Sequence, residues 1–408
     1  MKSCASADTA IVVGGGASGM LCALRLAQAG VGVLLLERND RLGKKLSATG
    51  NGQGNITNRN MGAEHYFTSS KQTAEHVLAA FGKDELLAFL RACGGLFVTD
   101  EEGRVYPASR QAASVTDLLR AELSRCGVEV RLQEKVVGAS YAGGLFRVRT
   151  EQGSYESKFL VLACGGKAAR HFGTDGGGYA LAEAFGHTVT KLRPSLVQLK
   201  TEQTFIRGLK GVRADCVLRL LRGGKEVVRM RGDVLFTDFG VSGDAVFRIS
   251  AFAREGDELC IDFLPMFEGK ELSAALSAKS ALYPQLPPAD LLRGMVNSSI
   301  GKCVAKYYAN GKKTGDIGCN FEKLAHCVKN FRLPVTGTLG FDYAQVTKGG
   351  VPMGELTQEL ESKKVRGLYI VGELTDADGE CGGYNLQWAF SSGAVAAASI
   401  IREVEHAH

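Results

Sequence analysis

The sequence lacks any long run of apolar residues. Its main apolar runs lie at 11–15, 31–37 and 159–166. All are far shorter than the roughly 20 residues that span a bilayer, and no signal peptide precedes the first run. Cysteine pairs are also missing, because the eleven cysteines are scattered without a C-x-x-C motif. An odd number of scattered thiols is typical of a reducing compartment, so we expect a cytoplasmic protein that does not contact a membrane.

Several catalytic signatures are absent as well. The seven histidines show no metal-ligand spacing and no hydrolase triad motif is present, so we expect no metal. A second G-x-G-x-x-G is missing, so the chain has no motif that would hold a nicotinamide cofactor permanently. Cys381 has no partner cysteine beside it, which argues against a disulfide reductase.

Glycine, by contrast, is abundant, with 52 residues against eight prolines. Glycine is needed where the backbone turns at positive φ or approaches a ligand closely. The excess is concentrated in a few loops that follow predicted strands. These loops are therefore where the function is expected to lie.

The order of predicted elements indicates an α/β protein of two domains. The strand–glycine–helix–strand pattern of the first fifty residues returns near the C-terminus, where 367–373 predicts a buried strand and 387–403 a helix. We therefore predict a doubly wound, Rossmann-like domain built from residues 1–192 and 340–408. The remaining residues, 193–339, are predicted to form an inserted domain.

Local patterns predict the other elements. In the first part, three-four spacing predicts helices at 71–93 and 114–126, and apolar alternation predicts strands at 128–132, 145–150 and 158–164. In the insert, strands are expected to be followed by helices. The predicted features there are a hairpin with a Gly223-Gly224 turn, strands at 233–236 and 258–264, and helices near 270–282, 289–309 and 321–330.

The first glycine cluster is a dinucleotide-binding fingerprint. Gly14-x-Gly16-x-x-Gly19 lies between a predicted strand and a predicted helix, and Glu37 ends the next strand. Gly14 permits the tight turn, Gly16 lets a pyrophosphate approach, and Gly19 lets the helix pack on the strand. A carboxylate at Glu37 would accept hydrogen bonds from an adenosine ribose and repel a 2′-phosphate.

Three further glycine-rich loops follow. Residues 43–58 contain four glycines and three asparagines, with Lys44 and Lys45 offering charge for a diphosphate and Asn51, Gly52 and Asn55 offering backbone and amides; an ordinary surface loop is the alternative. The others lie at 160–187 and 371–397. A helix that begins near 385–387 would direct its N-terminus at a flavin, so a long dinucleotide across the sheet is expected.

The charge is unevenly distributed. Residues 191–231 hold eleven Lys and Arg against three acids, a net +8, which leaves −2 for the rest of a chain of net +6. A solvated strand face is one interpretation, and a basic rim that attracts an anionic small-molecule substrate is the other. The stretch has no nucleic-acid recognition motif and only Phe205 as an aromatic residue, so we expect no nucleic-acid partner.

Six motifs together resemble one family. They are GGGASG, GKKLSATGNGQGNITN, EEGRVYP, GTDGGGYALAEAFGHTV, LFTDFGVSG and GLYIVGELTDADGECGGYNLQWAFSSG. They are similar to a bacterial family of FAD-dependent oxidoreductases, whose members include aminoacetone oxidases and a 3-dehydro-bile-acid delta(4,6)-reductase. The resemblance implies a two-dinucleotide-binding-type FAD domain with a large insert and noncovalent FAD. It implies cofactor contacts at Gly14, Gly16, Ala17, Ser18, Gly19, Glu37, Arg38, Lys45, Asn51, Gly52, Gly165, Gly372, Glu373, Asn385, Leu386 and Gln387.

The chain departs from the family pattern at two places. Gln53-Gly54 stands where the family usually has Arg-Cys, and Asp244 where it often has Pro. The missing cysteine argues against a thiol-dependent role in that loop, and the missing arginine puts a charged contact there in doubt.

Catalytic groups are predicted from residue chemistry. Tyr106 is a candidate proton donor, Arg104 a candidate carboxylate anchor, and Tyr384 lies beside the expected flavin loop. A structural role is the alternative for each of them.

The function predicted from these observations is an FAD-dependent oxidoreductase. It would reduce an enone-type or steroid-like, bile-acid-like small molecule with electrons that NAD(P)H delivers transiently through the flavin. Two alternatives stay open: an aminoacetone-type amine oxidase that releases hydrogen peroxide, and a flavin-bound nucleic-acid-modifying factor that uses the basic insert. The sequence does not indicate an oligomeric state.

Overall fold

The computed structural model describes residues 9–310 and 320–407. They form two compact units. One comprises the described residues up to Pro194 together with those from Gln345 onward, and the other is Ser195–Ala344. The sequence prediction placed these boundaries at 192/193 and 339/340. Two stretches distant in sequence thus build the first unit.

Strands are numbered here in chain order. Within the described residues they are β1 (Thr9–Val13), β2 (Gly32–Leu36), β3 (Thr57–Asn58), β4 (Tyr66–Phe67), β5 (Phe97–Thr99), β6 (Arg104–Pro107), β7 (Glu129–Arg131), β8 (Val136–Ala142), β9 (Leu145–Thr150), β10 (Ser154–Ser157), β11 (Phe159–Leu162), β12 (Arg193–Ser195), β13 (Leu199–Thr201), β14 (Arg213–Arg222), β15 (Lys225–Phe236), β16 (Gly240–Ser242), β17 (Glu258–Asp262), β18 (Phe331–Thr338), β19 (Val346–Lys348), β20 (Leu368–Ile370) and β21 (Asp378–Gly379).

Helices are numbered in the same way. Those of the described residues are α1 (Ala17–Gln28), α2 (Lys71–Ala80), α3 (Lys83–Ala92), α4 (Ala112–Arg125), α5 (Gly177–Ala184), α6 (Asp244–Ser250), α7 (Gly269–Leu282), α8 (Pro288–Leu291), α9 (Ser298–Tyr308), α10 (Phe321–Lys329) and α11 (Tyr384–Glu405). None of them is both long enough and apolar enough to cross a membrane.

The first unit is built on a five-stranded parallel sheet in the order β20-β11-β1-β2-β7. The three central strands are rich in Val, Ile and Leu, and the last three residues of each are buried, as expected when helices cover both faces of a parallel sheet. The strand order reverses at β1, with β2 on one side and β11 on the other. The predicted α/β, doubly wound architecture with an additional domain is therefore confirmed.

Two helices pack closely beside this sheet. Gly393 of α11 lies so near the first turn of α1 that an added Cβ would come within 2.2 Å of the Ser18 carbonyl oxygen. Because glycine has no Cβ, the two helices approach each other at this point.

The helix predicted over 71–93 is in fact two helices, α2 and α3. They are separated at Phe81 and Gly82, where the Phe81 ring is buried and its carbonyl oxygen accepts hydrogen bonds from Gln387 Nε2 at 3.4 Å and Ser391 Oγ at 2.6 Å. The carbonyl is thus bonded to α11, and glycine, a poor helix former, follows it. The break arises from a tertiary contact.

The second unit is a closed barrel in the order β13-β16-β15-β14-β17-β18, with helices α6–α10. The predicted hairpin is confirmed, since Arg222 pairs with Lys225 across a turn in which Gly223 and Gly224 both have positive φ. The expected order of strands followed by helices is wrong, because β18 follows the helices in the chain and closes the barrel. The helix predicted over 289–309 is also wrong in part, because the caps of α8 and α9 leave a break at 292–297.

Candidate functional site

The carboxyl ends of the parallel strands bring the predicted cofactor loops to one edge of the sheet. Val13, the last residue of β1, lies opposite both Leu36 of β2 and Leu162 of β11. The backbone N–H of Val371, which follows β20, donates to the Leu162 carbonyl at 3.1 Å. In open α/β sheets, ligands bind at this edge, where the strand order reverses.

Glycine is needed for a different reason at each of the three fingerprint positions. Gly14 has φ +109°, and a Cβ there would come within 2.4 Å of the Ala163 carbonyl oxygen. A Cβ on Gly19 would come within 1.9 Å of the Gly14 oxygen. Gly16, in contrast, has no atom within 4 Å of its would-be Cβ. The fold itself therefore requires Gly14 and Gly19, whereas the space beside Gly16 is open to a ligand.

The first turn of α1 is uncapped. No side chain caps its N-terminus, its first turn carries no acidic residue, and the backbone N–H groups of Ala17, Ser18 and Gly19 have no acceptor among the described residues. Free N–H groups and the positive end of a helix dipole bind phosphate groups. This turn therefore suits the diphosphate of a dinucleotide.

Glu37 follows β2 and is held in place by the backbone. Its Oε2 accepts from Gly15 N at 2.8 Å, and its Oε1 accepts from the backbone and side-chain nitrogens of Asn39, both at 2.8 Å. These bonds fix the carboxylate at the edge of the sheet, where a ribose hydroxyl would find it. Arg38 beside it forms an ion pair with Asp175 at 2.7 Å.

The loop at 43–58 is tied to the rest of the site by Lys45. Its ammonium forms an ion pair with Glu373 at 2.6 Å, so the two predicted cofactor contacts meet each other. Lys44 instead pairs with Asp40 at 2.8 Å. Asn51 and Gly52 lie in an exposed turn with positive φ.

The ends of β11 and β20 contribute the next two contacts. Gly165 follows β11 with φ +71°, and Gly372 follows β20 with φ +69°. Gly372 N donates to Ser392 Oγ at 2.9 Å. A Cβ on Gly372 would come within 2.7 Å of Ser18 Oγ, so this loop lies directly against the first turn of α1.

The N-terminus of α11 offers a second set of free donors. The backbone N–H groups of Tyr384, Asn385 and Leu386 have no acceptor among the described residues, and no side chain caps this helix. The Asn385 side chain, however, is already engaged, because it bonds to both the N–H and the carbonyl of Gly379 at 2.8 Å. The helix therefore presents backbone donors rather than an amide side chain.

Gln387, another predicted cofactor contact, has its N–H groups engaged within the protein. Its N–H donates to the Gly383 carbonyl at 3.1 Å, and its fully buried side chain donates to Phe81 and Ser391. The side chain therefore packs towards α2 and leaves no donor for a cofactor. Sequence position alone does not reveal this, because the helix begins at Tyr384 and Gln387 is already one turn inside it.

The three predicted catalytic side chains are all engaged. Arg104 pairs with Asp100 at 2.8 Å and Glu102 at 3.0 Å, both in its own turn. The Tyr106 ring lies under the Arg110 guanidinium at 4.2 Å, and burial raises the pKa of its hydroxyl.

Tyr384, at the start of α11, is similarly held. Its ring stacks on His65 with centroids 4.4 Å apart, its hydroxyl donates to the Asn60 carbonyl at 3.4 Å, and burial raises its pKa. These contacts give each of the three side chains a structural role. Their catalytic roles stay predictions.

A buried acid beside these loops was missed by the sequence prediction. Asp378, in β21, is almost fully buried, and Lys348, in β19, lies 3.5 Å from its Oδ2. Burial raises the pKa of Asp378 to about 7 and lowers the pKa of Lys348. The only signal in the sequence is the acid-rich run at 376–380, which the prediction treated as loop.

The basic stretch at 191–231 is partly neutralised. Six of its eleven cationic side chains have a carboxylate within 4.0 Å, and three of the acids lie beyond residue 231. The pairs are Lys210–Asp238, Arg213–Asp233, Arg219–Glu226, Arg222–Asp257, Arg229–Glu226 and Arg231–Asp215. The stretch is therefore less positive in three dimensions than its sequence indicates.

The residues present fit a dinucleotide that carries a flavin. The open space at Gly16 and the free N–H groups of α1 suit a diphosphate, Glu37 suits a ribose, and the free N–H groups of α11 suit a ring that gains negative charge on reduction. These groups lie in loops at the carboxyl ends of neighbouring strands, as a long cofactor requires.

Comparison with known proteins gives three findings. The family model described as the HI0933-like protein Rossmann domain matches residues 8–399. The 3-dehydro-bile acid delta(4,6)-reductase of Clostridium scindens is 36% identical over 94% of this chain and 97% of its own. Ribosomal RNA dihydrouridine synthases of Haemophilus influenzae and Escherichia coli are each 28% identical over 96% of this chain and 98% of theirs.

Among solved structures, the fold is similar to that of 3-ketosteroid-delta4-(5alpha)-dehydrogenase from Rhodococcus jostii. The TM-score is 0.49 and the identity 16%, with 96% of each chain covered.

Proposed function

This chain belongs to the HI0933-like protein Rossmann-domain family, and we propose that it is an FAD-dependent oxidoreductase that reduces a conjugated carbon–carbon double bond in a steroid-like small molecule. The observation that carries the FAD assignment is the pair of uncapped helix N-termini, α1 and α11, at one edge of the parallel sheet. The observation that carries the substrate class is the 36% identity to the bile-acid reductase over nearly the full length of both chains.

Each end of the cofactor has a named binding group. The first turn of α1 would hold the diphosphate, Glu37 the adenosine ribose, and the α11 N-terminus the flavin ring. When bound, FAD supplies hydride transfer. The chain itself must orient the substrate, exclude water and deliver the proton that completes the reduction.

The named relatives share one reaction type. A delta(4,6)-reductase saturates a double bond conjugated to a ketone, and a dihydrouridine synthase saturates the double bond conjugated to a uracil carbonyl. In both reactions the carbonyl stabilises the negative charge that develops as hydride adds to the distant carbon. This common chemistry supports a reductase of conjugated double bonds, and it supports that activity over an amine oxidase.

We propose NAD(P)H as a transient electron donor. Anaerobic titration with NADH and NADPH should bleach the bound flavin, and a steroid ketone with conjugated double bonds should then restore its colour. A flavin that neither donor reduces would overturn the donor. A reduced flavin that ignores the conjugated ketone but releases hydrogen peroxide in air would favour the aminoacetone-type oxidase.

A second candidate is a ribosomal RNA dihydrouridine synthase. It is favoured by the two 28% identical relatives and by cations such as Lys200 and Lys225, which have no carboxylate within ion-pair distance among the described residues. The neutralisation of six neighbouring cations counts against it. Incubation of the reduced enzyme with ribosomal RNA, followed by nucleoside mass spectrometry for dihydrouridine, distinguishes the two candidates.

A further inference from the structure

Asp378 is a buried acid that lacks its full set of hydrogen bonds. Only 2% of the residue is exposed. Its Oδ2 has no hydrogen-bond donor, although the Lys348 ammonium lies 3.5 Å away. At that distance the ammonium and a carboxylate attract each other, and Lys348 lowers the pKa of Asp378 against the larger effect of burial. A buried carboxylate in this state is costly unless it carries a proton.

Lys348 is held beside this acid by an aromatic ring. Its Nζ lies 3.4 Å from the centre of the Phe67 ring, and Phe67 pairs with Asp378 across the β4–β21 ladder. The cation–π contact and the ladder therefore fix the positions of acid and ammonium. The Lys348 side chain is 28% exposed, so it links the buried acid to solvent.

The pair lies between predicted cofactor residues on both sides. Thr347, directly before Lys348, donates its N–H to Glu373 Oε1 at 2.8 Å. Gly379, directly after Asp378, is bonded through both backbone groups to Asn385 at the start of α11. Two independent connections thus place the pair next to the loops that suit the flavin.

The charged and titratable groups around the pair come from several elements. Asp376 lies on the same loop and raises the pKa of Asp378, whereas Lys348 and a hydrogen bond from the Gly349 backbone lower it. Burial raises the pKa of Tyr179 in α5, and the charge of Asp378 adds to this effect. Arg193 of β12 adds to the effect of burial in lowering the pKa of Lys348. Burial is the largest cause for both groups, so the acid favours its neutral form.

We propose that Asp378 and Lys348 form the proton source for the reduction, with Lys348 as the group that passes the proton and Asp378 as the acid that replaces it. The inference rests on the proposed function for its substrate, but not for the protonation of Asp378. It makes Lys348 a catalytic residue and Asp378 a proton-holding residue behind it, and substitution of either affects one half of the catalytic cycle.

The step balances in atoms and electrons. Bound and reduced FAD would supply a hydride to one carbon of the substrate double bond, and Lys348 would supply a proton to the other, so the π bond would break and two C–H bonds would form. The neutral lysine then takes the Asp378 proton, which leaves an aspartate–ammonium ion pair. Solvent restores the missing proton to the pair.

The first test measures stability and needs no substrate. Asp378→Asn removes the acid with little change of shape, and Glu380→Gln, a partly exposed acid two residues away that contacts His65 at 3.1 Å, is the matched control. An acid whose folded pKa lies above its unfolded pKa destabilises the fold as pH rises. The melting temperature of Asp378→Asn, relative to wild type, should therefore be several degrees higher at pH 8 than at pH 5, on the order of 2–5 °C.

Glu380→Gln should show no such trend. If Asp378→Asn instead loses stability relative to wild type as pH rises, Asp378 is an ionised member of a permanent salt bridge and the proposal is wrong. An absence of any pH trend also overturns it, because the acid would then titrate equally in both states.

The second test separates the half-reactions of the FAD-bound enzyme. With reduced enzyme under anaerobic conditions, Asp378→Asn and Lys348→Met should slow re-oxidation by a conjugated steroid ketone roughly 100- to 10,000-fold. Re-oxidation by ferricyanide, which takes electrons without forming a C–H bond, should change less than about threefold. Equal slowing with both oxidants would mean a displaced flavin and would overturn the proposal.

The two tests fail separately. If the wild-type flavin does not react with any conjugated ketone, the proposed function is wrong, while the stability measurement still decides whether Asp378 is a protonated acid. If the wild type reacts with the conjugated ketone and both variants react as fast as the wild type, only the proposed proton source is wrong.

Discussion

At the scale of single residues, Gly16 and Gly19 separate the needs of the fold from the needs of a ligand. An added Cβ on Gly19 would come within 1.9 Å of the Gly14 oxygen, whereas one on Gly16 would meet no atom within 4 Å. Both glycines lie in the same turn, yet only one of them is required by packing. Substitution of each by alanine therefore distinguishes a ligand-binding turn from a purely structural one.

Gly16→Ala should fold normally and bind FAD poorly. Its φ of −82° is accessible to alanine, so we expect an unchanged melting temperature for the apoprotein. The methyl group fills the space that a diphosphate needs, so FAD affinity should fall about tenfold or more, a loss of about 1.4 kcal/mol. Calorimetric titration of apoprotein with FAD measures this.

Gly19→Ala is the contrasting variant, destabilised by roughly 1–3 kcal/mol through overpacking. Unchanged FAD affinity in Gly16→Ala would mean that no phosphate group lies there.

Glu37 allows a second prediction at this scale. Glu37→Ala removes the carboxylate expected to bind the ribose, and loss of a charge-assisted hydrogen bond costs on the order of 1.5–3 kcal/mol. FAD affinity should then fall about ten- to a hundredfold, as measured by fluorescence titration. Asp40→Asn, in the same loop but paired outward with Lys44, is the control and should bind FAD as the wild type does. Equal affinities for both variants would place the ribose elsewhere.

At the scale of elements, a buried histidine links helix α5 to the strand region before β20. His187 Nδ1 contacts Glu355 Oε2 at 2.8 Å, and its Nε2 contacts Ser362 Oγ at 2.7 Å. The arrangement has the geometry of a hydrolase triad. The Ser362 hydroxyl, however, is buried and accepts hydrogen bonds from the backbone N–H groups of Lys364 and Val365. We therefore interpret it as a structural network.

This network should make the fold sensitive to acid. Lys364 and the donors of Thr188 and His187 outweigh burial and lower the pKa of Glu355 to about 2, and burial lowers the pKa of His187. Both folded pKa values lie below their unfolded values, so the stability they contribute is present at neutral pH. It is lost as pH falls below about 6.5 for His187 and from about 4.5 towards 2 for Glu355.

Glu355→Gln should therefore lower stability at pH 7 by on the order of 2 kcal/mol and flatten the loss between pH 5 and pH 3. Denaturant unfolding at several pH values measures both effects. Glu359→Gln is the control, because the Glu359 carboxylate is a nearby acid that lies as far as 3.9 Å from His76 Nε2. An acid limb as steep as that of wild type in Glu355→Gln would assign the acid sensitivity to other groups.

Local patterns predicted the elements that depend on local interactions. The Gly14–Gly19 turn and the Gly223-Gly224 hairpin were predictable because φ preference and apolar periodicity act within a few residues. The break at Phe81 was not, because it depends on hydrogen bonds from α11. Barrel closure by β18 depends on pairing across a long stretch of chain. The Asp378–Lys348 pair likewise forms only when β19, β21 and β4 come together, and no spacing in the sequence encodes it.

At the scale of the whole molecule, the distribution of charge decides how an anionic substrate would approach. The sequence places a net +8 in residues 191–231, but Arg222 is bound in a two-point contact to the buried Asp257. Arg219 and Arg229 both pair with Glu226. Charge reversal at these arginines would test stability more than attraction of substrate. Lys200 and Lys225, exposed and without a carboxylate within 4.0 Å among the described residues, are the better probes.

If the unpaired cations attract an anionic substrate, kcat/KM should fall as salt rises, because exposed charges are screened beyond roughly 8 Å at physiological ionic strength. Lys200→Glu with Lys225→Glu should remove most of that salt dependence and leave kcat unchanged. Arg222→Glu is the contrasting variant and should lose on the order of 2–3 kcal/mol of stability, since Asp257 would remain buried without its partner. A wild-type kcat/KM that does not respond to salt would make the basic face ordinary surface.

The most direct test of the proposed reaction is a single turnover with the product identified. Enzyme whose flavin has been reduced anaerobically is mixed with one equivalent of a steroid ketone that carries conjugated double bonds. The matched control is the same steroid with those bonds already saturated. We predict that the conjugated ketone re-oxidises the flavin and gains two hydrogens by mass, and that the saturated control does neither. A flavin that stays reduced with the conjugated ketone, yet returns to its oxidised form in air with release of hydrogen peroxide, would contradict the reductase assignment.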